Sequence, residues 1–420
     1  MTAFKSDFLR ELEWRGFIHQ VSEPVEPLDE LADRGKLIAY VGYDCTAPSL
    51  HVGHLLSIMM LHWLQESGNK PIALMGGGTT RVGDPSGRDE TRKLLTYEQI
   101  DFNKDSIRRT FRDDFIRFGG GRTDAIMPDN AEWLTKLNYI EMLREVGRHF
   151  SINRMLKMDS VSMRLEREQE LSFIEFNYMI LQSYDFVELA RRYGCNLQMG
   201  GSDQWGNIVN GIELGRRMNT HQLYALTCPL LTTSSGAKMG KTAAGAVWLN
   251  ADLLSPYHYW QFWRNTEDAD VVRFLKLFTL LPRQEIRRLA ELRDQEINEA
   301  KRILAREATT LMHGEPAAAA AERAARQAFE EGATSDNLPT INITREQVLN
   351  GFGILQANTA LGFSRSNGEA SKLVKSGAIK LAGQRVTDPL YKIRFADFDD
   401  YGRSLLERGK VTKGVIKLIE

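Results

Sequence analysis

The sequence predicts an α/β protein built on a parallel sheet, and the pattern of residues 36–230 indicates it. Short apolar runs typical of buried strands alternate there with longer amphipathic stretches typical of helices. KLIAYVGYD precedes the helical stretch HVGHLLSIMMLHWLQESG, KPIALMGGG is the next strand, and NLQMGG precedes a second helical stretch, SDQWGNIVNGIELGRRM. Strands that alternate with helices favour parallel pairing through crossover helices. Such sheets bind ligands at the carboxyl ends of their strands, near helix N-termini.

The pattern changes after this region. From Pro256 to His313 it is helical throughout, and an alanine-rich helix and the polar stretch ATSDNLPTIN follow. Residues 125–160 contain apolar side chains without a strand pattern, so we expect an insertion there that forms a subunit interface. The predicted organisation is an α/β domain at 1–250, an α-helical domain at 251–331, a linker at 332–342 and a small α+β domain at 343–420.

Composition excludes several classes of protein. The 420 residues carry a formal net charge of −1, so a nucleic-acid site has to be a local basic patch. The three cysteines are far apart and indicate neither a disulfide framework nor a zinc cluster, which fits a reducing cytoplasm. The N-terminal stretch is amphipathic and unlike a signal peptide, and no apolar run is long enough to span a membrane.

The first chemical motif is YVGYDCTAPSLHVGH, where a strand ends in a polar turn and a helix begins. His51 and His54 are three residues apart, so both lie on one face of the first helical turn. Helix N-termini favour phosphate groups because their backbone N–H groups are unpaired. Two histidines alone more often cap a helix, and no third ligand nearby supports a metal site.

The second motif is GAKMGKT, in which Lys238 and Lys241 are three apart in a polar stretch. Two such lysines can close over a polyphosphate, although a solvated basic loop is the more common meaning of this pattern alone. A phosphate-binding P-loop is excluded because Ser235 stands where it requires glycine and no helix pattern follows.

Together, the two motifs resemble the signature pair of class I aminoacyl-tRNA synthetases. YVGYDCTAPSLHVGHL, GDPSGR, NYMILQSYDF, LQMGGSDQWGN and KMGKT also occur in the order found in bacterial tyrosyl-tRNA synthetases. The resemblance covers most of residues 36–250 and resumes at the C-terminus. It implies a Rossmann-like catalytic domain, a helical domain that binds the tRNA anticodon, and a cytoplasmic homodimer. The implied substrates are L-tyrosine, ATP with Mg²⁺ and tRNA(Tyr), without a tightly bound protein metal.

The resemblance also implies roles for single residues. Thr46 and His51 match residues that bind the γ-phosphate in the transition state, and Lys238 and Lys241 match lysines of a mobile loop that hold pyrophosphate. The remaining matches to ATP ligands are Gly42, Asp44, His54 and Asp203. No covalent intermediate with the protein is needed, because catalysis rests on positioning and on cationic or hydrogen-bond donors.

A second set of residues matches those that recognise tyrosine. Tyr40 and Asp185 match ligands of the substrate phenol, and Gln204 a residue beside the reacting carboxylate. Tyr178, Gln182 and Asp84 match ligands of the α-ammonium group. The spacing of Tyr178, Gln182 and Asp185 by itself places them on one face of a helix. In isolation, this tyrosine would more often be a core residue and this aspartate a helix-end charge.

The C-terminal segment is locally basic. SNGEASKLVKSG predicts a short helix ended by Gly377, and AIKLAGQRV a hairpin that turns at 382–384. This order resembles a small RNA-binding domain found in a ribosomal protein and in pseudouridine synthases. A solvated surface is the alternative, but the basic bias favours RNA contacts. The candidate contacts are Arg365, Lys372, Lys375, Lys380 and Arg385.

Three other functions compete with this interpretation. A nucleotidyltransferase with the same signature would need no RNA-binding segment. A tryptophanyl-tRNA synthetase has a related fold, but the pair Tyr40 and Asp185 favours a phenol. An RNA-binding protein without catalysis would not need the complete set of ATP ligands.

Overall fold

The structure is a computed structural model of the 420-residue chain. It describes residues 4–85, 94–234, 236, 239, 241–242, 245–326, 338–398, 402–409 and 411–419, with only the backbone at 159, 160, 241, 242 and 245. The chain divides into two compact units. The first comprises Met1–Met239 and Val272–Phe278, and the second Gly240–Val271 and Thr279–Glu420.

The first unit contains a five-stranded sheet in the order β1-β5-β4-β2-β3. Its strands are β1 (Gln20–Val21), β2 (Ile38–Asp44), β3 (Lys70–Gly76), β4 (Leu197–Gly201) and β5 (Tyr224–Cys228). The four longer strands pair in parallel, and β1 is antiparallel to β5. This confirms the predicted α/β class with a parallel sheet. It also brings the carboxyl ends of β2, β3 and β4 to one edge.

Among the described residues, ten α-helices belong wholly to the first unit and lie before, between and after these strands along the chain. They are α1 (Asp7–Arg15), α2 (Val25–Asp33), α3 (Val52–Glu66), α4 (Tyr97–Arg108), α5 (Ala131–Leu134), α6 (Tyr139–Glu145), α7 (Ile152–Met155), α8 (Asp159–Glu166), α9 (Phe173–Tyr193) and α10 (Trp205–Arg217). Helix α9 begins with a capping box between Ser172 and Glu175 and ends at Gly194, whose φ of 68° is the left-handed conformation that glycine adopts readily. The segment predicted as an insertion, 125–160, contains short helices.

The second unit begins with the two-residue strands β6 (Lys241–Thr242) and β7 (Gly245–Ala246). The predicted helical pattern then appears as five helices, of which the second continues into the first unit. They are α11 (Pro256–Arg264), α12 (Asp268–Phe278), α13 (Arg283–Ala290), α14 (Ile297–His313) and α15 (Glu315–Arg326). The described helices include none that is long and apolar enough to cross a membrane.

The C-terminal part of the second unit forms its own sheet, in the order β10-β9-β11-β12-β8, around an apolar core. Its elements are β8 (Thr340–Thr344), α16 (Arg345–Leu349), α17 (Ile354–Ala360), α18 (Asn367–Lys375), β9 (Ile379–Leu381), β10 (Gln384–Val386), β11 (Arg403–Arg408) and β12 (Thr412–Ile419). The predicted helix and hairpin are α18 and β9–β10. Strand β8 begins inside the predicted linker, since Thr340 pairs in parallel with Val415. Residues 332–337 of that linker lie outside the described residues.

Candidate active site

The turn after β2 leads directly into α3, and His51 is the N-cap of that helix. Its Nδ1 accepts a hydrogen bond from the Gly53 N–H at 3.0 Å, and His54 Nδ1 accepts one from the His51 N–H at 3.2 Å. A Cβ on Gly53 would lie 2.8 Å from the His51 ring, so the ring itself requires glycine there. Burial and the nearby His51 lower the pKa of His54 to about 3, which keeps this ring neutral at physiological pH.

Two residues predicted to contact the nucleotide are accessible on the same edge. Gly42 is exposed near the end of β2, and a Cβ there would meet nothing within 4 Å. Thr46 is exposed in the turn that follows. Gly42 thus leaves open space in front of β2, which the close approach of a ribose requires.

Asp185 and Tyr40 place two polar groups inside the buried core of the first unit. Asp185 is 2% exposed, and its carboxylate accepts hydrogen bonds from Trp133 Nε1 at 2.7 Å and from Asn130 Nδ2 at 2.8 Å. The Tyr40 ring packs edge-on against Phe186, and its buried hydroxyl has no hydrogen-bond partner among the described residues. Buried hydroxyls normally have a partner, so this one is a candidate contact for a ligand.

The side chains of Asp185 and Tyr40 both have raised pKa values. Burial raises the pKa of the Asp185 carboxyl to about 8, against the opposing effect of its two donors, Asn130 and Trp133. Burial, and then the charge of Asp185, also raises the pKa of the Tyr40 phenol well above its usual value. Both groups therefore favour their neutral forms and are suited to exchange hydrogen bonds with a neutral hydroxyl group.

A cluster of acceptors lies at the carboxyl end of β2. The Tyr178 hydroxyl donates to Asp44 Oδ2 at 3.0 Å, and Thr79 Oγ1 donates to Asp44 Oδ1 at 2.7 Å. The carboxylates of Asp44 and Asp84 also raise the pKa of the buried Tyr178 phenol, after burial itself. A Cβ on Gly76 would collide with the Asp44 carboxylate, so glycine is required where β3 ends beside it. Two nearby carboxylates favour a cationic ligand.

The remaining tyrosine-site candidates are connected through Gln204. Its Nε2 donates to Asp84 Oδ2 at 3.1 Å and to Asp203 Oδ2 at 3.4 Å, and its Oε1 accepts from Gln182 Nε2 at 3.4 Å. The Gln182 Oε1 is buried and has no hydrogen-bond partner among the described residues. The sheet edge thus brings together the side chains predicted to hold the ammonium group and the reacting carboxylate.

The lysine motif is only partly described. Lys238 lies outside the described residues, and for Lys241 only the backbone at the start of β6 is described.

The five basic residues predicted to contact RNA are all exposed, on α18, on the β9–β10 hairpin and just before α18. Arg385 pairs with Lys380 across the hairpin, and the Arg385 side chain lies against Gly377, whose φ is 71°. These basic residues belong to the second unit, whereas the candidate ATP and tyrosine ligands other than Lys241 belong to the first.

Three residues of the site were not predicted from the sequence. Thr79, Asn130 and Trp133 hold Asp44 and Asp185 in place, and Asn130 Oδ1 also accepts from the Gly78 N–H at 2.7 Å. Asn130 and Trp133 follow β3 by more than fifty residues, and their segment pairs with β3 only through isolated bridges. No local pattern in the sequence signals such a role.

Comparison with known proteins assigns the chain to a family. The sequence model described as tRNA synthetases class I (W and Y) matches residues 32–330. Tyrosine–tRNA ligase from Rhodopseudomonas palustris is 68% identical over 419 residues, which is 100% of each chain. The Nitrobacter winogradskyi protein of that name is 71% identical over 388 residues, 92% of this chain and 93% of that one.

Among solved structures, a C-terminally truncated mitochondrial tyrosyl-tRNA synthetase from Aspergillus nidulans is similar. It has a TM-score of 0.69 at 33% identity and covers 77% of this chain and 94% of its own. A tryptophanyl-tRNA synthetase from Encephalitozoon cuniculi, at 13% identity and a TM-score of 0.53, shares the fold alone. The resemblance found in the motifs is confirmed.

Proposed function

We infer that this chain, which belongs to the class I tRNA synthetases of the tryptophan and tyrosine group, is a tyrosine–tRNA ligase. The family model spans enzymes for both amino acids, whereas the similar bacterial relatives carry the tyrosine name. The observation that supports tyrosine is the buried Tyr40 hydroxyl without a described partner in the pocket of Asp185. A substrate hydroxyl would satisfy this group, and an indole would bring no hydroxyl there.

In the proposed complex, the substrate ring enters between β2 and α9 and its phenol bonds Tyr40 and Asp185. Asn130 and Trp133 occupy lone pairs of the Asp185 carboxylate and so fix its orientation. The α-ammonium group bonds the Tyr178 hydroxyl, Gln182 and Asp84. Asp44, which accepts from Tyr178, adds a second negative charge on this side.

The first half-reaction is attack of the tyrosine carboxylate on the α-phosphate of ATP, with loss of pyrophosphate. Gln204 lies beside the attacking carboxylate, while Gly42, Asp203 and His54 surround the nucleoside. Thr46, His51, Lys238 and Lys241 stabilise the charge that grows on the pyrophosphate.

Mg²⁺ would enter with ATP, because this ion keeps several waters and binds mainly through substrate phosphate oxygens in such sites. The described residues contain no cluster of three or more His, Cys, Asp or Glu side chains arranged to hold a metal ion. Charge neutralisation of the polyphosphate is the chemistry that the bound ion supplies.

The second half-reaction transfers the tyrosyl group to the 3′ end of tRNA(Tyr). We assign tRNA contacts to the helices of residues 251–331 and to the exposed basic residues of the C-terminal sheet, both on the basis of the family resemblance. Backbone phosphates would supply affinity and orientation there, without chemistry.

A homodimer formed through the 125–160 region is also proposed. Large apolar side chains are exposed on and around α6 and α7, including Tyr139, Ile140 and Ile152, each more than half exposed. Several large exposed apolar side chains in one segment favour an interaction site there. The cytoplasm, where tRNA and ATP are available, is the proposed compartment.

The test is ATP–pyrophosphate exchange with purified protein and each of the twenty amino acids in turn. Tyrosine should support exchange in the presence of Mg²⁺. An exchange rate that is higher with tryptophan, or absent with tyrosine, would contradict the assignment.

A further inference from the structure

The two peptide groups that flank Cys45, just before Thr46, are each held by a buried side chain. Asn103 Nδ2, on α4, donates to the Cys45 carbonyl at 2.9 Å, and the Cys45 N–H donates to Thr80 Oγ1 at 2.7 Å. Thr80 in turn donates to the Gly76 carbonyl at 2.5 Å, at the end of β3. Asn103 is 7% exposed and Cys45 is fully buried.

Helix α4 is itself fixed, so Asn103 is presented from a rigid element. The neighbouring Lys104 forms an ion pair with Asp129 at 2.9 Å, and its side chain is only 15% exposed. At the start of the helix, the Arg81 guanidinium lies 4.3 Å from the centre of the Tyr97 ring. The capping box of Thr96 and Gln99 completes the first turn.

The peptide bond is planar and trans, so the direction of a carbonyl sets the direction of the next N–H. A hydrogen bond to the Cys45 carbonyl therefore fixes where the Thr46 N–H points and where the Thr46 side chain starts. Cys45 is buried and Thr46 is exposed. The bond from Asn103 thus lies at the step where the chain leaves the core and enters the site.

We propose that Asn103 is a positioning residue for the activation of tyrosine by ATP. It acts by orienting Thr46 through the Cys45 carbonyl. It touches neither substrate. The proposal rests on the role assigned above to Thr46 as a ligand of the γ-phosphate. It explains why a helix distant in sequence from both signature motifs places a buried amide against the turn between β2 and α3.

The decisive variants are Asn103→Leu, which keeps the volume but removes the donor, and Asn103→Ala as a smaller alternative. Because small misplacements of a ligand have large kinetic effects, we expect the rate of tyrosyl-adenylate formation to fall by about tenfold to a hundredfold. The KM for tyrosine should stay within about twofold, since Asn103 bonds the Cys45 carbonyl and none of the assigned tyrosine ligands.

A double-mutant cycle with Thr46→Ala separates positioning from general damage. If Asn103 acts through Thr46, Asn103→Leu should lower the rate by less than about twofold in the Thr46→Ala background. The matched control is Asn69→Leu in the same unit. Asn69 is fully buried and its Nδ2 donates to the Ala32 carbonyl at 3.1 Å, at the opposite end of the sheet.

Equal losses in both backgrounds, or a rise in the KM for tyrosine that matches the fall in rate, would overturn the proposal. So would the same loss in Asn69→Leu at a comparable drop in Tm. If Thr46→Ala alone keeps the full activation rate, the role assigned to Thr46 fails, and the positioning role of Asn103 fails with it. If Thr46→Ala is slow and both Asn103 variants are fast, only the positioning role fails.

Discussion

Replacing Asp185 with alanine removes the carboxylate assigned to the substrate phenol, and its effect on selectivity follows from the structure. The group is buried, so a hydrogen bond between it and a ligand would form away from water. Because Asp185 favours its neutral form, such a bond contributes about 0.5–1.5 kcal/mol. The tyrosine-to-phenylalanine ratio of kcat/KM should therefore fall by roughly two- to tenfold, because only tyrosine loses a partner.

The same substitution has a cost in stability. It leaves the Trp133 Nε1–H and an Asn130 N–H without their acceptor in a buried site. Each unpaired buried donor costs about 1–3 kcal/mol, so the free energy of unfolding should fall by about 2 kcal/mol or more. Asp29→Ala is the matched control. Asp29 is also buried and accepts the N–H groups of Lys5 and Ser6 at 2.6 and 2.9 Å, but belongs to none of the substrate contacts.

The assay is ATP–pyrophosphate exchange with tyrosine and with phenylalanine, together with urea unfolding of both variants. Asp29→Ala should lose stability and keep the wild-type ratio. An unchanged ratio in Asp185→Ala would refute the assignment of this residue to the phenol. If the ratio falls equally in both variants, the effect comes from general destabilisation of the fold.

Four further outcomes are expected. His51→Asn, which keeps an N-cap acceptor, should raise the barrier to activation by about 3 kcal/mol with little change in tyrosine binding, as quench-flow measurements would show. Because the carboxyl pKa of Asp185 is raised in the folded protein, the wild type should lose stability as pH rises from about 4 to about 8. Asp185→Asn should remove this dependence, so its Tm should vary less with pH over that range. Ending the chain at Arg326 should preserve adenylate formation while tRNA charging falls steeply. Ile140→Asp should shift sedimentation from dimer to monomer.

The parallel sheet was predictable because its strands are apolar runs with helices between them. β2, β3 and β4 lie where these runs predicted them. The two-residue strand β1 has no such run and exists only through its pairing with β5. Strand β8 begins in a polar stretch, and it is held in the sheet by pairing with β12, which follows about seventy residues later in the chain. Pairing between distant segments leaves little local signal.

The site divides in the same way. Residues inside the motifs, such as Tyr178 and Gln182, were predictable from their spacing and from the family resemblance. Asn130 and Trp133 act on Asp185 from another segment, and Asn103 contacts only a backbone carbonyl. A buried asparagine that bonds a carbonyl has the same local pattern whether it supports a core or a site. Its role depends on which carbonyl accepts the hydrogen bond.

The unpaired Tyr40 hydroxyl connects stability with specificity. A buried hydroxyl without a partner costs about 1–3 kcal/mol, yet the residues that the structure describes offer it none. Bound phenylalanine would make the same apolar contacts in the pocket as tyrosine, but the Tyr40 hydroxyl would still lack a hydrogen-bond partner. Tyrosine would remove the cost and add its own bond to Asp185, so the two amino acids differ by more than one hydrogen bond. Because Trp133 and Asn130 already hold Asp185, binding would require little rearrangement of the carboxylate, and most of that difference would remain as discrimination.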